Sequence, residues 1–136
     1  MKALSIHPWY ACRIFAGQKT VECRSWKTGY RGDLLICSTA HLQKDTIPGH
    51  ALCVVNLADI VPFTKSHLAD ACMKPSDYKD GMYAWILDNL RYIRPIPLKG
   101  KLSLWTYDGD IEYLQKPETE EEDERIYHEI YEPLFV

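Results

Sequence analysis

The stretch Lys19-Thr20-Val21-Glu22-Cys23-Arg24-Ser25-Trp26 concentrates the residues best suited to chemistry. Read as a strand, its period of two sets Thr20, Glu22, Arg24 and Trp26 on one face and turns Val21 and Cys23 toward the interior. A carboxylate and a guanidinium two residues apart pair across one surface, and a neighbouring aromatic offers a stacking plate. The combination suits a flat polar ligand such as a nucleobase, with Arg24 and Trp26 supplying π faces and Glu22 accepting from ring amines. The plainer alternative is an exposed ion pair beside a half-buried tryptophan, which contributes little to stability. A second candidate is His7-Pro8-Trp9, at the junction of a strand and a helix. Such junctions expose backbone N–H groups that attract anions, and His7 there is either a local hydrogen-bond partner or a ligand contact.

Other stretches carry less. Arg31-Gly32-Asp33 spells an adhesion tripeptide, but it reads better as the turn entering the next strand. Cys37 and His41 lie four apart where a strand runs into a loop, a spacing that does not converge two ligands, so no metal is expected. Phosphate-loop, nucleophile-elbow, zinc-protease and dinucleotide glycine motifs are absent, and no cofactor is expected. Trp85 and Trp105, in apolar runs, read as core.

These residues need a scaffold. Ala3–Ile6 reads as a short strand. Pro8 at a first helical position and Gly17 just past an end bracket a helix whose Ala11, Ile14 and Phe15 form one buried stripe. Strands follow at Lys19–Trp26, Leu34–Thr39 and Ala51–Val61, the last stopped by Pro62. Thr64 caps a short helix with Leu68, Ala71 and Cys72 facing inward. Further strands are expected at Met82–Leu87, Leu90–Ile93 and Lys101–Tyr107, with Pro95 and Pro97 forcing an extended crossing. Roughly six short strands and three helices predict a mixed, mainly β fold, a small barrel with helices packed on its outside and ends. The barrel spans residues 1–117, and residues 118–136 form an acidic helical extension packed on the same domain. In that extension Thr119 and Glu122 have capping-box spacing, and the pairs Ile126/Ile130 and Tyr127/Tyr131 are four apart.

At four stretches the sequence resembles the ASCH domain family, whose fold is related to the PUA domain. They are Ala3-Leu4-Ser5-Ile6-His7-Pro8-Trp9, the G-x-K-T-x-E-x-R core from Gly17 through Trp26, Tyr30 to Ile36, and Pro97 to Leu102. The resemblance implies a PUA-like β-barrel with a cleft floored by the Lys-Thr-x-Glu-x-Arg strand and edged by the first helix. It implies binding of RNA or a modified nucleoside, with Lys19, Glu22 and Arg24 lining the cleft and His7 and Trp9 at its rim. Trp26, at the strand end, and Ser38, on the neighbouring strand, are added as further candidates. One branch of the family is similar to small amidohydrolases of N4-acetylcytidine, with a lysine base and a threonine nucleophile three residues later. Here that position holds Glu22, so the enzymatic alternative takes Lys19 as base and Glu22 as acid partner. Metal-assisted RNA cleavage, also proposed in the family, finds no carboxylate cluster to hold an ion.

Composition sets limits on all of this. The chain has 136 residues, 46% apolar and 26% charged, values that exclude a disordered or collagen-like chain. Its net charge of −3 hides two unlike parts. Residues 1–117 hold 15 Lys/Arg against 11 Asp/Glu, while residues 118–136 hold Arg125 against eight acids. A basic body is compatible with a nucleic-acid partner, and the tail is read either as a solvated helix or as a flap that competes with phosphate at the cleft. Five scattered cysteines, an odd number with no C-x-x-C, point to small core filler in a reducing cytoplasm rather than a disulfide scaffold. The start does not read as a signal peptide, and no apolar run approaches the ~20 residues of a membrane span. A binding module for RNA or a modified nucleoside is therefore favoured over a small hydrolase or a protein-binding adaptor.

Overall fold

The computed structural model describes residues 1–136. Six strands form one sheet in the order β2-β5-β4-β3-β1-β6. They are β1 (Lys2–Ile6), β2 (Val21–Arg24), β3 (Gly32–Ser38), β4 (His50–Pro62), β5 (Tyr83–Pro97) and β6 (Leu104–Thr106). Neighbours are antiparallel except β1 and β3, which run parallel with Leu4 opposite Ile36. Three register shifts along β4, between Ala51 and Cys53, Val54 and Asn56, and Leu57 and Asp59, add twist and bend the sheet. The result is a half-barrel that ends on β2 at one side and β6 at the other. The mainly β architecture predicted from strand spacing is the one found.

Helix α1 (Pro8–Phe15) crosses from β1 with Pro8 at its first position and His7 as its cap, Nδ1 accepting from the Trp9 N–H at 3.4 Å. Gly17, with φ of 80°, closes it. Its Ala11, Ile14 and Phe15 are buried, as the stripe predicts, and join Leu34, Leu52, Val55 and Trp85 in the main core. Trp105 is only half-buried, because β6 is an edge strand; its indole N–H donates to Ser5 Oγ at 3.2 Å. That contact lies against Gly100, where an added Cβ would sit 2.1 Å from Ser5 Oγ.

Several elements differ from expectation. The two strands read at Met82–Leu87 and Leu90–Ile93 are one 15-residue strand, with Asn89 absorbing the irregularity at φ of 50°. Pro95 and Pro97 end that strand rather than forming a crossing, where the ladder tolerates missing N–H groups. The helix expected after Thr64 is a single tight turn at Lys65–His67, although Leu68 and Ala71 are buried. Of the cysteines, Cys12, Cys37 and Cys53 are buried; Cys23 and Cys72 are half-buried, and none is disulfide-bonded. Gly32 and Asp33 are the first paired residues of β3 rather than a turn before it, Arg31 lies just outside the strand, and Asp33 pairs with Arg91 at 2.6 Å.

The tail continues as α2 (Glu120–Ile126), a π-helical turn at Tyr127–Tyr131 and a last tight turn. Thr119 Oγ accepts from the Glu122 N–H at 3.1 Å, the cap its spacing predicts. Ile126 and Ile130 pack on the core only in part; the anchor is Tyr131, 1% exposed. Its hydroxyl lies 3.0 Å from the Leu52 carbonyl and 2.9 Å from that of Ile93, and its ring stacks on Phe15 at 4.9 Å. The tail thus docks on Phe15 and the sheet rather than over the Lys19 strand, because its apolar side chains find their partners there. No helix is long and apolar enough to cross a membrane.

Candidate functional site

Residues from β1, α1, β2 and the 73–82 loop enclose a cleft of about 370 Å³. β2 pairs only with β5, so one of its edges remains open beside the end of β1. The strand is short: Val21–Arg24, not Lys19–Trp26. Lys19 therefore lies before the ladder begins. Free of strict alternation, its side chain bends to the Glu22 side.

Glu22 sits at the centre, with its side chain 8% exposed. Its Oε1 lies 3.3 Å from Lys19 Nζ and accepts from the Cys23 N–H at 3.2 Å. Its Oε2 accepts from Arg24 Nη2 at 3.0 Å. Each oxygen thereby accepts one hydrogen bond and keeps a further lone pair, with the Lys19 ammonium beside Oε1 as counter-charge. The Glu22–Arg24 pair is not the exposed surface pair of the plainer reading, because Glu22 is buried and Arg24 is half-buried.

Lys19 is held by an ion pair and two hydrogen bonds. Besides the ion pair with Glu22, its ammonium donates to the Val21 carbonyl at 2.7 Å and to the Ala71 carbonyl at 2.8 Å. It also lies 4.8 Å from the centre of the Tyr10 ring. A lysine so placed holds Glu22 and ties β2 to the loop before Cys72. To act as a base it would have to release one of these oxygens.

Arg24 is different. Both Nη2 hydrogens are used, on Glu22 and on the Ser5 carbonyl at 3.1 Å. Its Nε is buried with no acceptor, and its side chain is 25% exposed at the cleft wall. A buried unpaired N–H costs about 1–3 kcal/mol.

His7 lines the cleft, with its ring 5.1 Å from that of His41. Trp9 does not; it packs edge-on against Tyr10 at 5.0 Å and under Arg13 at 4.5 Å. Trp26 packs against Trp85 at 4.8 Å, and its carbonyl accepts from the Trp85 indole. Ser38 is buried in β3, its hydroxyl exchanging hydrogen bonds with the His50 backbone at 3.1 and 3.2 Å. The structure therefore gathers His7, Lys19, Glu22 and Arg24, and places Trp9, Trp26 and Ser38 outside the cleft lining.

The cleft also holds residues the sequence reading omits. Tyr10 lies three residues after His7, one helical turn on and on the same face, a signal the sequence contains. Burial, then the charges of Asp77 and Glu22, push its phenol up from the ordinary value. Burial, then Glu22, push up the Cys23 thiol. Met73, Asp77, Lys79 and Met82 come from an irregular loop, for which no period exists to read. With Lys19 neutralised by Glu22, Arg24 and Lys79 face a single carboxylate, Asp77. The cleft is mildly positive, with thioether and phenol surface between its charges. No group of three or more His, Cys, Asp or Glu side chains converges anywhere as a metal site.

The ASCH domain family matches the chain over residues 4–97. Among solved structures, an ASCH protein from Zymomonas mobilis superimposes with a TM-score of 0.62 at 19% identity, covering 94% of each chain. A mutant form of that protein aligns equally well, with a TM-score of 0.62 at 19% identity over 94% of this chain and 96% of that one. These likenesses agree with a PUA-like fold. No curated protein matches the sequence.

Proposed function

The chain belongs to the ASCH domain family, and from that premise we propose that it binds RNA or a modified nucleoside in the Lys19–Arg24 cleft. The observation that supports this best is the state of Glu22 and Arg24. A buried carboxylate fixed by the Cys23 N–H, by Arg24 and by the Lys19 ammonium keeps acceptor capacity, and the adjacent guanidinium keeps its Nη1 group as a donor. One fixed acceptor beside fixed donors is the complement of a base edge that both donates and accepts. The cleft volume, about 370 Å³, suits a small ligand. Lys79 at its margin suits a phosphate, while Tyr10 and the two methionines supply apolar surface for a ring.

In this reading Glu22 accepts from a ring amine, Arg24 donates to a ring oxygen or nitrogen, and Lys19 positions Glu22. His7 and Tyr10 close one wall. Trp9, Trp26 and Ser38 act through packing, since each is occupied by other protein groups. The hydrolytic alternative requires Lys19 to turn from Glu22 and from the two carbonyls that hold it.

Titration with short single-stranded RNA and a panel of modified nucleosides, over a series of salt concentrations, tests the proposal. Arg24→Met is expected to abolish nucleoside binding. Lys79→Ala is expected to leave nucleoside binding unchanged and lower the salt slope for RNA by about 0.7. Absence of binding to every member of the panel at low salt overturns it.

A further inference from the structure

A second and larger cavity, about 680 Å³, lies between α1, Tyr92 of β5 and the tail, and shares no residue with the cleft. Its walls are aromatic. Phe15 stacks on Tyr131 and meets Phe135 edge-on at 6.3 Å, Tyr92 lies 5.9 Å from Tyr131, and Tyr127 lies 6.0 Å from Phe135. The helix loosens from α to π over Tyr127–Tyr131, along this border, a change often seen at functional sites.

The rim is acidic. Asp45, Asp123, Glu124 and Glu132 reach it, against one guanidinium, Arg13. Glu132 is paired with His128, but Asp45, Asp123 and Glu124 have no ion-pair partner. Arg13 makes no ion pair with them, and its guanidinium lies over the Trp9 ring. Burial, then the charge of Asp123, push the Tyr92 phenol up.

We propose that this cavity binds a small organic cation, an alkylammonium with an apolar body. Aromatic π faces attract such a cation, the apolar body fills walls that water hydrates poorly, and the unpaired carboxylates balance its charge. The volume falls in the range of small-molecule sites, about 300–1,000 Å³. A neutral ligand would gain nothing from the carboxylates, and an anion would be repelled by them. The acidic tail, which the cleft does not use, thus acquires a role as the wall of a separate site.

The test uses the full chain and three probes of similar body: benzyltrimethylammonium, benzyl alcohol and benzenesulfonate. NMR titration is expected to give saturable shifts at Tyr127 and Phe135 with the cation, much weaker binding of the alcohol and none of the sulfonate. Tyr127→Ala is expected to weaken the cation about two- to fivefold. The exposed pair Asp123→Asn and Glu124→Gln, which leave the core untouched, is expected to weaken it without changing the thermal midpoint of the free protein by more than a few degrees. Equal affinity for alcohol and cation overturns the proposal. So does a double carboxylate variant that binds as tightly as the parent, a response confined to His7 and Tyr10, or no saturable shift in the millimolar range.

Discussion

Replacing Lys19 with methionine keeps the length of the stem and removes only the ammonium. The Val21 and Ala71 carbonyls then lose a donor at 2.7 and 2.8 Å, and Glu22 Oε1 loses its counter-charge at 3.3 Å. Removing one partner of a buried pair costs about 3–5 kcal/mol, because a buried charge is left uncompensated. Glu22 keeps Arg24 and the Cys23 N–H, which places the charge component at the lower end. The bonds lost by the two buried carbonyls fall within that figure, which covers removal of the whole partner with its contacts. A total of about 3–4 kcal/mol follows, and with a urea slope near 2 kcal/mol per molar the midpoint falls by about 1.5–2 M. Urea unfolding followed by tryptophan fluorescence measures this, with nucleoside titration on the folded variant in parallel. Glu22→Gln is the companion variant, since it keeps the shape and one acceptor while leaving Lys19 unpaired. A midpoint loss below about 0.5 M in Lys19→Met, with ligand binding abolished, would refute the reasoning. Lys19 would then be a group facing ligand rather than one that positions Glu22.

Three further outcomes are expected. Tyr131→Phe leaves the Leu52 and Ile93 carbonyls without their buried donor and costs about 1–3 kcal/mol in a thermal melt, and truncation after Pro117 costs more because it removes the whole ring from the core. Arg91 holds the Asp33 carboxyl below its ordinary value, so the pair stabilises the fold above that value and the contribution disappears as pH falls through the lowered one. The pair is partly exposed and screened, so the unfolding free energies of parent and Asp33→Asn, from urea titrations between pH 2 and 6, should differ by less than about 1 kcal/mol, with the parent's advantage confined to the upper end. Burial pushes the Cys37 thiol up to about 12 and raises those of Cys12 and Cys53, so alkylation of the native protein should label at most Cys23 and Cys72; labelling of Cys37 or Cys53 without denaturant would contradict the packing.

The sequence by itself determined what local periodicity and capping can report. Pro8 and Gly17 bracket α1, the stripe Ala11, Ile14 and Phe15 faces the core, and the Thr119 cap opens α2, because each depends on neighbours within one turn. The mainly β class was legible for the same reason: alternation and turn residues recur along the chain. The tail was legible as a helix with acids at its start, and its core anchor was not. Tyr131 is one aromatic among several at helical spacing until Leu52 and Ile93, 79 and 38 residues away, present their carbonyls.

The site divides along the same line. Glu22 and Arg24 share a face of one short strand, so their pairing follows from the period of two. Lys19 should lie on the opposite face by that count. It reaches Glu22 because the strand begins after it, and because Ala71, 52 residues on, supplies the carbonyl that holds it there. Trp26 and Ser38 look available in the sequence, and the fold commits them to Trp85 and His50. Whether a polar side chain is free depends on partners brought from elsewhere in the chain, and only tertiary packing decides which partners those are. Periodicity tells which way a side chain points; it carries no information about what arrives to meet it.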